Sequence, residues 1–248
     1  MNQNLDFELV LPCYNEENNL EMLIRRAKDA AENHGFHPTS FQLVVVENGS
    51  KDKSSEKLAQ LSETDLGKWF RVVPIKENRG YGFGLQTGLA STKASYIGWS
   101  HADMQCDPND AFLALKALKA KDGTVDWIIK GRRYERNWKD RFVSFVFAVL
   151  ARIILGNKID EINAQPKVFQ RKLMSLTPDP PPNFAFDLYM LHKALQNGYR
   201  IDTIPVRFPP RIHGVSNWAS TFLGRYKTIL GMIQYMLALS KQDKKGTT

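Results

Sequence analysis

Phe41-Gln42-Leu43-Val44-Val45-Val46-Glu47-Asn48-Gly49-Ser50 is the stretch that decides the fold class of this chain. Three consecutive valines stand in an apolar run that shows no polar alternation. Stiff β-branched side chains suit a pleated surface. A strand with one wet face alternates, whereas a continuous apolar run belongs to a sheet covered on both faces. The run ends at Glu47-Asn48-Gly49-Ser50, a polar turn at the strand's carboxyl end.

The same grammar repeats on either side. Leu9-Val10-Leu11, stopped by Pro12, is a short buried strand. Asn15 is placed to cap a helix with Glu16 and Glu17 in its first turn. Leu20, Leu23, Ile24, Ala27, Ala30 and Ala31 then recur at helical spacing up to Gly35. Downstream, residues 54–61 read as a helix and 70–75 as a strand. Residues 78–84 form a glycine-rich loop, and 85–91 open a helix. Residues 96–99 read as a strand, 111–119 as a helix and 127–130 as a strand. Alternation of this kind predicts right-handed βαβ units and an α/β fold with a mostly parallel twisted sheet flanked by helices. In the second half, an apolar helix (142–155), a proline-rich loop (178–182), a helix (187–197) and a strand (201–208) precede a C-terminal amphipathic helix. Residues 241–248 read as a disordered polar tail.

Composition narrows the partners. The chain has 248 residues, 34 lysines and arginines against 26 acidic residues, and a formal charge of +8, which favours anionic partners. Nucleic acid is not expected, because no helix-turn-helix, zinc or RNP-type signature is present. The two cysteines, Cys13 and Cys106, and the five histidines lack metal-ligand spacing. So few cysteines suggest a reducing, cytoplasmic setting. Residues 1–8 lack a signal-peptide core. No run reaches the roughly 18–20 apolar residues of a spanning helix. Residues 142–155 and 229–239 are apolar enough to lie on a membrane.

Ligands of open parallel sheets bind at the carboxyl ends of strands. Four polar or glycine-rich segments fall there: 12–16, 47–50, 78–84 and 101–105. Asp103, in His101-Ala102-Asp103-Met104-Gln105, follows an apolar strand on a short linker. A carboxylate there can hold Mg2+ or Mn2+ against a diphosphate. Gly80-Tyr81-Gly82-Phe83-Gly84 misses the dinucleotide fingerprint, since Leu85 stands where the third glycine belongs. Close approach of backbone to a ligand is the better use of these glycines. The basic cluster Arg132, Arg133, Arg136, Lys139 and Arg141 and the later group Arg207, Arg211 and His213 suit phosphate. Cations beside an amphipathic helix also suit an anionic bilayer surface.

Together these loops resemble the family 2 glycosyltransferases of GT-A fold, most closely the dolichol-phosphate mannosyltransferase-like branch. Leu11-Pro12-Cys13-Tyr14-Asn15-Glu16-Glu17 matches the opening P-x-Y-N-E-E motif. Val46-Glu47-Asn48-Gly49-Ser50-Lys51-Asp52 stands where the family has an aspartate pair and G-S-x-D. Asn78-Arg79-Gly80-Tyr81-Gly82 matches N-x-G-x-G. His101-Ala102-Asp103-Met104-Gln105 stands at D-A-D-x-Q, and Gly131-Arg132-Arg133-Tyr134 at G-S-R-Y, with Trp138, Arg141 and Ser144 at spacings found in that branch. Tyr199-Arg200-Ile201 through Arg211, Gly214 and Ser216 resembles G-Y-R-I, P-V and R-x-x-G-x-S. The likeness covers about residues 7–217.

The resemblance implies one GT-A domain over 1–240. Residues 1–131 would be its nucleotide-sugar half, and 132–240 its acceptor half with amphipathic helices. It implies a nucleotide-sugar pocket of Pro12, Tyr14, Glu16, Glu47, Asn48, Gly80, Gly82, Ala102 and Asp103. A divalent cation would sit on Asp103, Gln105 and His101, and an acceptor phosphate on Arg132, Arg133, Arg141, Arg211 and His213. Catalysis would rest on Asp103, Arg133, Arg211 and Asp187. The reaction implied is inverting transfer from a nucleotide-diphosphate sugar, with a polyprenyl phosphate at the cytoplasmic membrane face as the favoured acceptor. Two alternatives are a saccharide hydroxyl, with Asp187 as base, and a protein that binds nucleotide-sugars without turnover. Three departures stand out: Glu47-Asn48 for two aspartates, His101 for the first carboxylate of D-x-D, and Asn217 where the branch often has lysine.

Overall fold

The computed structural model describes residues 5–209 and 222–246, the side chains of 222–228 and 245–246 excepted. The strands are β1 (Phe7–Cys13), β2 (Phe41–Asn48), β3 (Phe70–Ile75), β4 (Tyr96–Trp99), β5 (Trp127–Tyr134), β6 (Lys167–Gln170) and β7 (Arg200–Arg207). They form one sheet in the order β3-β2-β1-β4-β6-β5-β7. All run in one direction except β6, which pairs antiparallel with both β4 and β5. The helices are α1 (Leu20–Asn33), α2 (Ser54–Ser62), α3 (Tyr81–Ala90), α4 (Pro108–Lys119), α5 (Trp138–Leu155), α6 (Phe186–Gln196) and α7 (Phe222–Gly246).

The β2 run is buried on both faces, as its lack of alternation requires. Leu43 and Val45 pack with the residues of α1 and α4, including Leu20, Leu23 and Phe112. Val44 and Val46 pack on the other face with Leu85 and Leu89 of α3 and with the α6 residues Phe186 and Met190. Each fully buried valine contributes about 1.5–3 kcal/mol. Helix α3 lies tight against this face: a Cβ at Gly88 would stand 2.5 Å from both Val10 Cγ1 and Val46 Cγ2.

Local structure departs from the sequence expectation in five places. Asn15 does not cap a helix; it takes a left-handed φ of 58°, and α1 starts at Leu20. Asn15 instead spends its amide on Ser50 Oγ and its Oδ1 on the Lys51 amide. The glycine-rich segment is loop only to Gly80, whose φ of 107° turns the chain into α3. Strand β6 carries too few residues to show a period. Helix α5 begins four residues before its apolar run, capped by the Asn137 side chain on the Asp140 amide. The tail is helical as far as Gly246, because Asp243 reaches Lys193 and the buried His192 of α6. Gly35 stops α1 as read, with the Phe36 amide on Ala31 O and the Gly35 amide on Glu32 O.

Candidate active site

Registers β1–β2 and β2–β3 bring Cys13, Glu47 and Asn48 to one edge of the sheet. The loops that leave this edge are stitched to each other. The Glu16 amide donates to Ser54 Oγ at 2.9 Å, the Glu17 amide to Asp52 Oδ2 at 3.2 Å, and the Lys53 amide to Glu17 Oε2 at 2.8 Å. Glu47 Oε1 accepts from the Ser50 amide at 2.7 Å, and the residue is 8% exposed. Pro12, Tyr14 and Glu16 are half-buried beside it. This is a rigid cleft wall made mostly of side chain-to-backbone bonds.

Asn48 has a structural job. Its Nδ2 donates to Gly80 O at 3.2 Å and ties β2 to the start of α3. Gly80 and Gly82 are close-approach positions against the backbone of the proline-rich loop. A Cβ at Gly80 would meet Pro182 O at 2.6 Å, and one at Gly82 would meet Pro181 O at 2.2 Å. The Phe83 amide donates to Pro182 O at 3.0 Å. The proline-rich loop is thereby clamped onto α3, and it presents Phe184 in a stack on Tyr81 with centroids 5.4 Å apart.

The segment after β4 holds the candidate metal residues. Ala102 and Asp103 are buried, and Met104 takes a φ of 61°. Asp103 Oδ1 accepts from the Gln105 amide at 3.1 Å, which fixes the carboxylate in a tight turn. Gln105 Nε2 donates to Pro209 O at 3.0 Å. His101 packs near Tyr81, with ring centroids 6.0 Å apart. Burial depresses the His101 pKa; the Asp103 and Asp187 charges oppose this without cancelling it. The imidazole is therefore neutral at pH 7, the form that ligates metal. Among the described residues no group of three or more His, Cys, Asp or Glu could cage an ion. Asp103 with neutral His101 fits a different arrangement, in which a hard ion takes one or two protein ligands and its other ligands from diphosphate and water.

Beneath this segment lies a buried polar floor. Asp187, at the start of α6, accepts on Oδ1 from Lys167 Nζ at 2.5 Å, Gln165 Nε2 at 2.9 Å and Trp99 Nε1 at 3.1 Å. Burial pushes the Asp187 carboxyl up, but the Lys167 ammonium more than offsets this and holds it below its ordinary value. Gln165 Nε2 also reaches Tyr81 OH at 3.2 Å.

The arginines divide. Strand alternation puts Arg132 on the opposite face from Arg133, where it is exposed. Arg141 is exposed in the first turns of α5. Arg133 turns inward and is joined by Arg136 rather than by either of these. Arg133 Nε donates to Glu161 Oε2 at 2.6 Å, and Arg136 Nη1 to Glu161 Oε1 at 3.1 Å. Arg211 and His213 lie outside the described residues. Sequence reading did not single out Lys167, Gln165, Trp99 or Glu161. A lysine inside the apolar Val-Phe strand was the one available signal, since buried lysines need a partner.

Solved structures share this architecture. Glucosyl-3-phosphoglycerate synthase from Mycobacterium tuberculosis, in complex with Mn2+, uridine-diphosphate and glucosyl-3-phosphoglycerate, aligns with a TM-score of 0.67. The identity is 16%, over 98% of this chain and 80% of that one. Two curated relatives also align. Undecaprenyl-phosphate 4-deoxy-4-formamido-L-arabinose transferase of Pseudomonas savastanoi is 26% identical over 67% of this chain and 48% of its own length. Dodecaprenyl-phosphate galacturonate synthase of Rhizobium johnstonii is 21% identical over 98% of this chain and 70% of its own length. The chain thus spans about half the length of the first relative.

A mostly parallel sheet with these loops at its carboxyl edge is the GT-A architecture of nucleotide-sugar transferases. The profile of Glycosyl transferase family 2 matches residues 8–178, and the chain belongs to that family.

Proposed function

We propose that the chain transfers a sugar, with inversion, from a nucleotide-diphosphate sugar to the phosphate of a polyprenyl lipid. The observation that carries this reading is the pairing of Arg133 with Arg136 beside the Asp103 segment, together with the state of Asp187. A saccharide hydroxyl needs a general base within reach. Asp187 is a poor one, because three donors converge on its Oδ1 and Lys167 lowers its basicity. A phosphate monoester, with a second pKa of about 6, needs arginines rather than a base. The names of the two polyprenyl-phosphate relatives support the same acceptor class.

In this reading Pro12, Tyr14, Glu16 and Glu47 line the nucleoside cleft. Asp103 holds the diphosphate's divalent cation, with His101 and Gln105 beside it. Bound there, Mg2+ or Mn2+ would neutralise the charge that grows on the leaving diphosphate. Asp187 and Lys167 act from below: their charges bear on His101, and Gln165 links Asp187 to the Tyr81 hydroxyl.

A lipid acceptor calls for work at a bilayer surface, on the cytoplasmic face where nucleotide-sugars are available. Helix α5 supports such a contact. Trp138, Phe142, Phe145 and Ile153 are each at least 60% exposed on it, with Lys139, Arg141 and Arg152 alongside. Among the described residues no helix is long and apolar enough to cross a membrane. The reading thus specifies attachment at the interface.

The test is a panel of nucleotide-sugars with geranylgeranyl phosphate or an oligosaccharide as acceptor, each with and without Mn2+. Transfer to the prenyl phosphate that depends on the cation is expected. Transfer to the oligosaccharide alone would sink the acceptor reading, and no turnover with any pair would favour a nucleotide-sugar-binding protein.

A further inference from the structure

Glu161 is held more firmly than a surface glutamate has reason to be. It sits in the loop between α5 and β6 with a φ of 48°, a conformation that costs energy in a non-glycine residue. Its backbone carbonyl accepts from Nζ of buried Lys130 at 2.9 Å. Its carboxylate is shared between Arg133 at 2.6 Å and Arg136 at 3.1 Å. All three side chains are largely buried, at 17%, 9% and 11% exposure. Arg136 Nη1 also reaches Ser144 Oγ on α5 at 2.9 Å, and both guanidiniums lie over the Phe208 ring, at 5.1 and 5.9 Å.

One carboxylate makes the direct ion pairs to two guanidiniums. Asp140 acts on Arg136 only at longer range, and burial pushes the pKa of Lys130 behind them down to about 7. Each guanidinium has five N–H donors, more than one carboxylate oxygen can occupy. Two oxygens set between two arginines is also the geometry in which a phosphate is recognised. The cluster borders the transfer site closely enough that the Arg133 charge bears on His101 and Lys167.

We propose that Glu161 is a resident anion: its carboxylate occupies the Arg133–Arg136 pair in the empty enzyme, and the acceptor phosphate enters by displacing it. The proposal rests on the phosphate-acceptor reading above and adds its regulation. Glu161 keeps two buried arginines aligned when no phosphate is present, and it sets a threshold against weakly charged anions. A phosphate dianion outcompetes a single carboxylate, whereas a chloride or a carboxylic acid does not.

The experiment is calorimetric binding of geranyl phosphate and, in a separate arm, inorganic phosphate to wild type, Glu161→Gln and Glu161→Ala. Melting curves establish that each variant is folded. Both variants should bind geranyl phosphate about tenfold more tightly than wild type, since a competing like charge has been removed. Uridine diphosphate binding should not change. If inorganic phosphate gains as much as geranyl phosphate, the site reads the phosphate alone; a larger gain for geranyl phosphate adds a prenyl contact. Either gain supports displacement. Tighter binding by neither folded variant, where wild type binds geranyl phosphate, overturns the placeholder role but leaves the acceptor reading standing. Absence of binding to wild type and variants alike overturns both.

Discussion

Lys167 places its ammonium 2.5 Å from Asp187 Oδ1, and the two side chains are 0% and 4% exposed. The pair joins β6, the antiparallel strand of the sheet, to the first turn of α6. Two buried charges in contact are tolerated because each has further partners. Lys167 also reaches Ala164 O at 3.0 Å, and Asp187 accepts from Trp99 and Gln165. Removing one partner strands the other as an uncompensated buried charge. Lys167→Met should therefore cost about 3–5 kcal/mol of stability, read as a lower urea midpoint at unchanged slope. Asp187→Asn should also destabilise, and it separates the two acceptor classes. Transfer to a prenyl phosphate should fall only modestly, whereas a hydroxyl-directed enzyme would lose its base and its activity.

Asp103 is the carboxylate on which a diphosphate-bound cation would sit. Asp103→Asn keeps its size and its Asx-type bond with the Gln105 amide but removes the charge. The melting-temperature rise given by uridine diphosphate with Mn2+ should disappear, while any rise given by the nucleotide alone remains. Turnover should drop by about 100-fold or more, equivalent to roughly 3 kcal/mol at the transition state. An unchanged response to Mn2+ would mean that the cation is held without the Asp103 charge.

Two glycines make opposite predictions. Gly82 lies under the proline-rich loop, where an added methyl meets Pro181 O at 2.2 Å and Asn183 O at 2.6 Å, both backbone atoms. Gly82→Ala should destabilise by about 1–3 kcal/mol through overpacking and shift Phe184 from its stack on Tyr81. Gly231 lies in α7, and among the described residues no atom beyond the helix's own backbone and its chain neighbours lies within 4 Å of the added Cβ. Gly231→Ala should stabilise by about 0.5–1 kcal/mol through helix propensity alone. Equal effects at the two positions would contradict the packing of the loop on α3.

How much of this was legible depends on the range of the interaction. The β2 valines and the polar loops after β1, β2 and β4 are local signals: the valines are buried on both faces of the sheet, and the loops lie at its carboxyl edge. Asp103, Glu47 and Arg133 are on that edge for the same reason. What escaped reading is carried by contacts distant in sequence. Asp187 looks like a helix-opening acid until Lys167, twenty residues earlier, is brought beneath it. Glu161 is unremarkable by sequence, and it gains a role only when 25 and 28 residues of separation close onto Arg136 and Arg133. The glycines of α3 carry the signal of a close backbone approach, and the segment that lies against them is the proline-rich loop, about a hundred residues away. Residues 241–246 have a tail's composition and hold helix because Asp243 finds His192 and Lys193.

That last contact sets a pH dependence. His192 Nε2 lies 2.6 Å from Asp243 Oδ2, and its Nδ1 faces Asn157 Nδ2. Lys193 Nζ reaches the other Asp243 oxygen at 2.8 Å. Burial lowers the His192 pKa, and the opposing hydrogen bond and charge of Asp243 do not restore it, so the folded state favours the neutral ring. Between its folded value and the ordinary 6.5, the unfolded chain binds more protons at this site, so stability falls as pH falls. The contribution is complete above pH 6.5 and lost on approach to the folded value. Asp243 behaves alike at lower pH: burial raises its pKa, but Lys193 and His192 outweigh that and hold it below 3.8. Its contribution is complete above that value and lost as pH falls through the folded one. Wild type should therefore lose melting temperature in two stages on acidification. His192→Gln keeps a hydrogen-bonding side chain without the titration, so the stage just below pH 6.5 should shrink to the share carried by buried His101, while the acidic stage stays. Amide exchange in α7 should accelerate in the same pH window in wild type only. A variant that retains the upper stage undiminished would place its origin in His101 and leave the α6–α7 contact without a role in it.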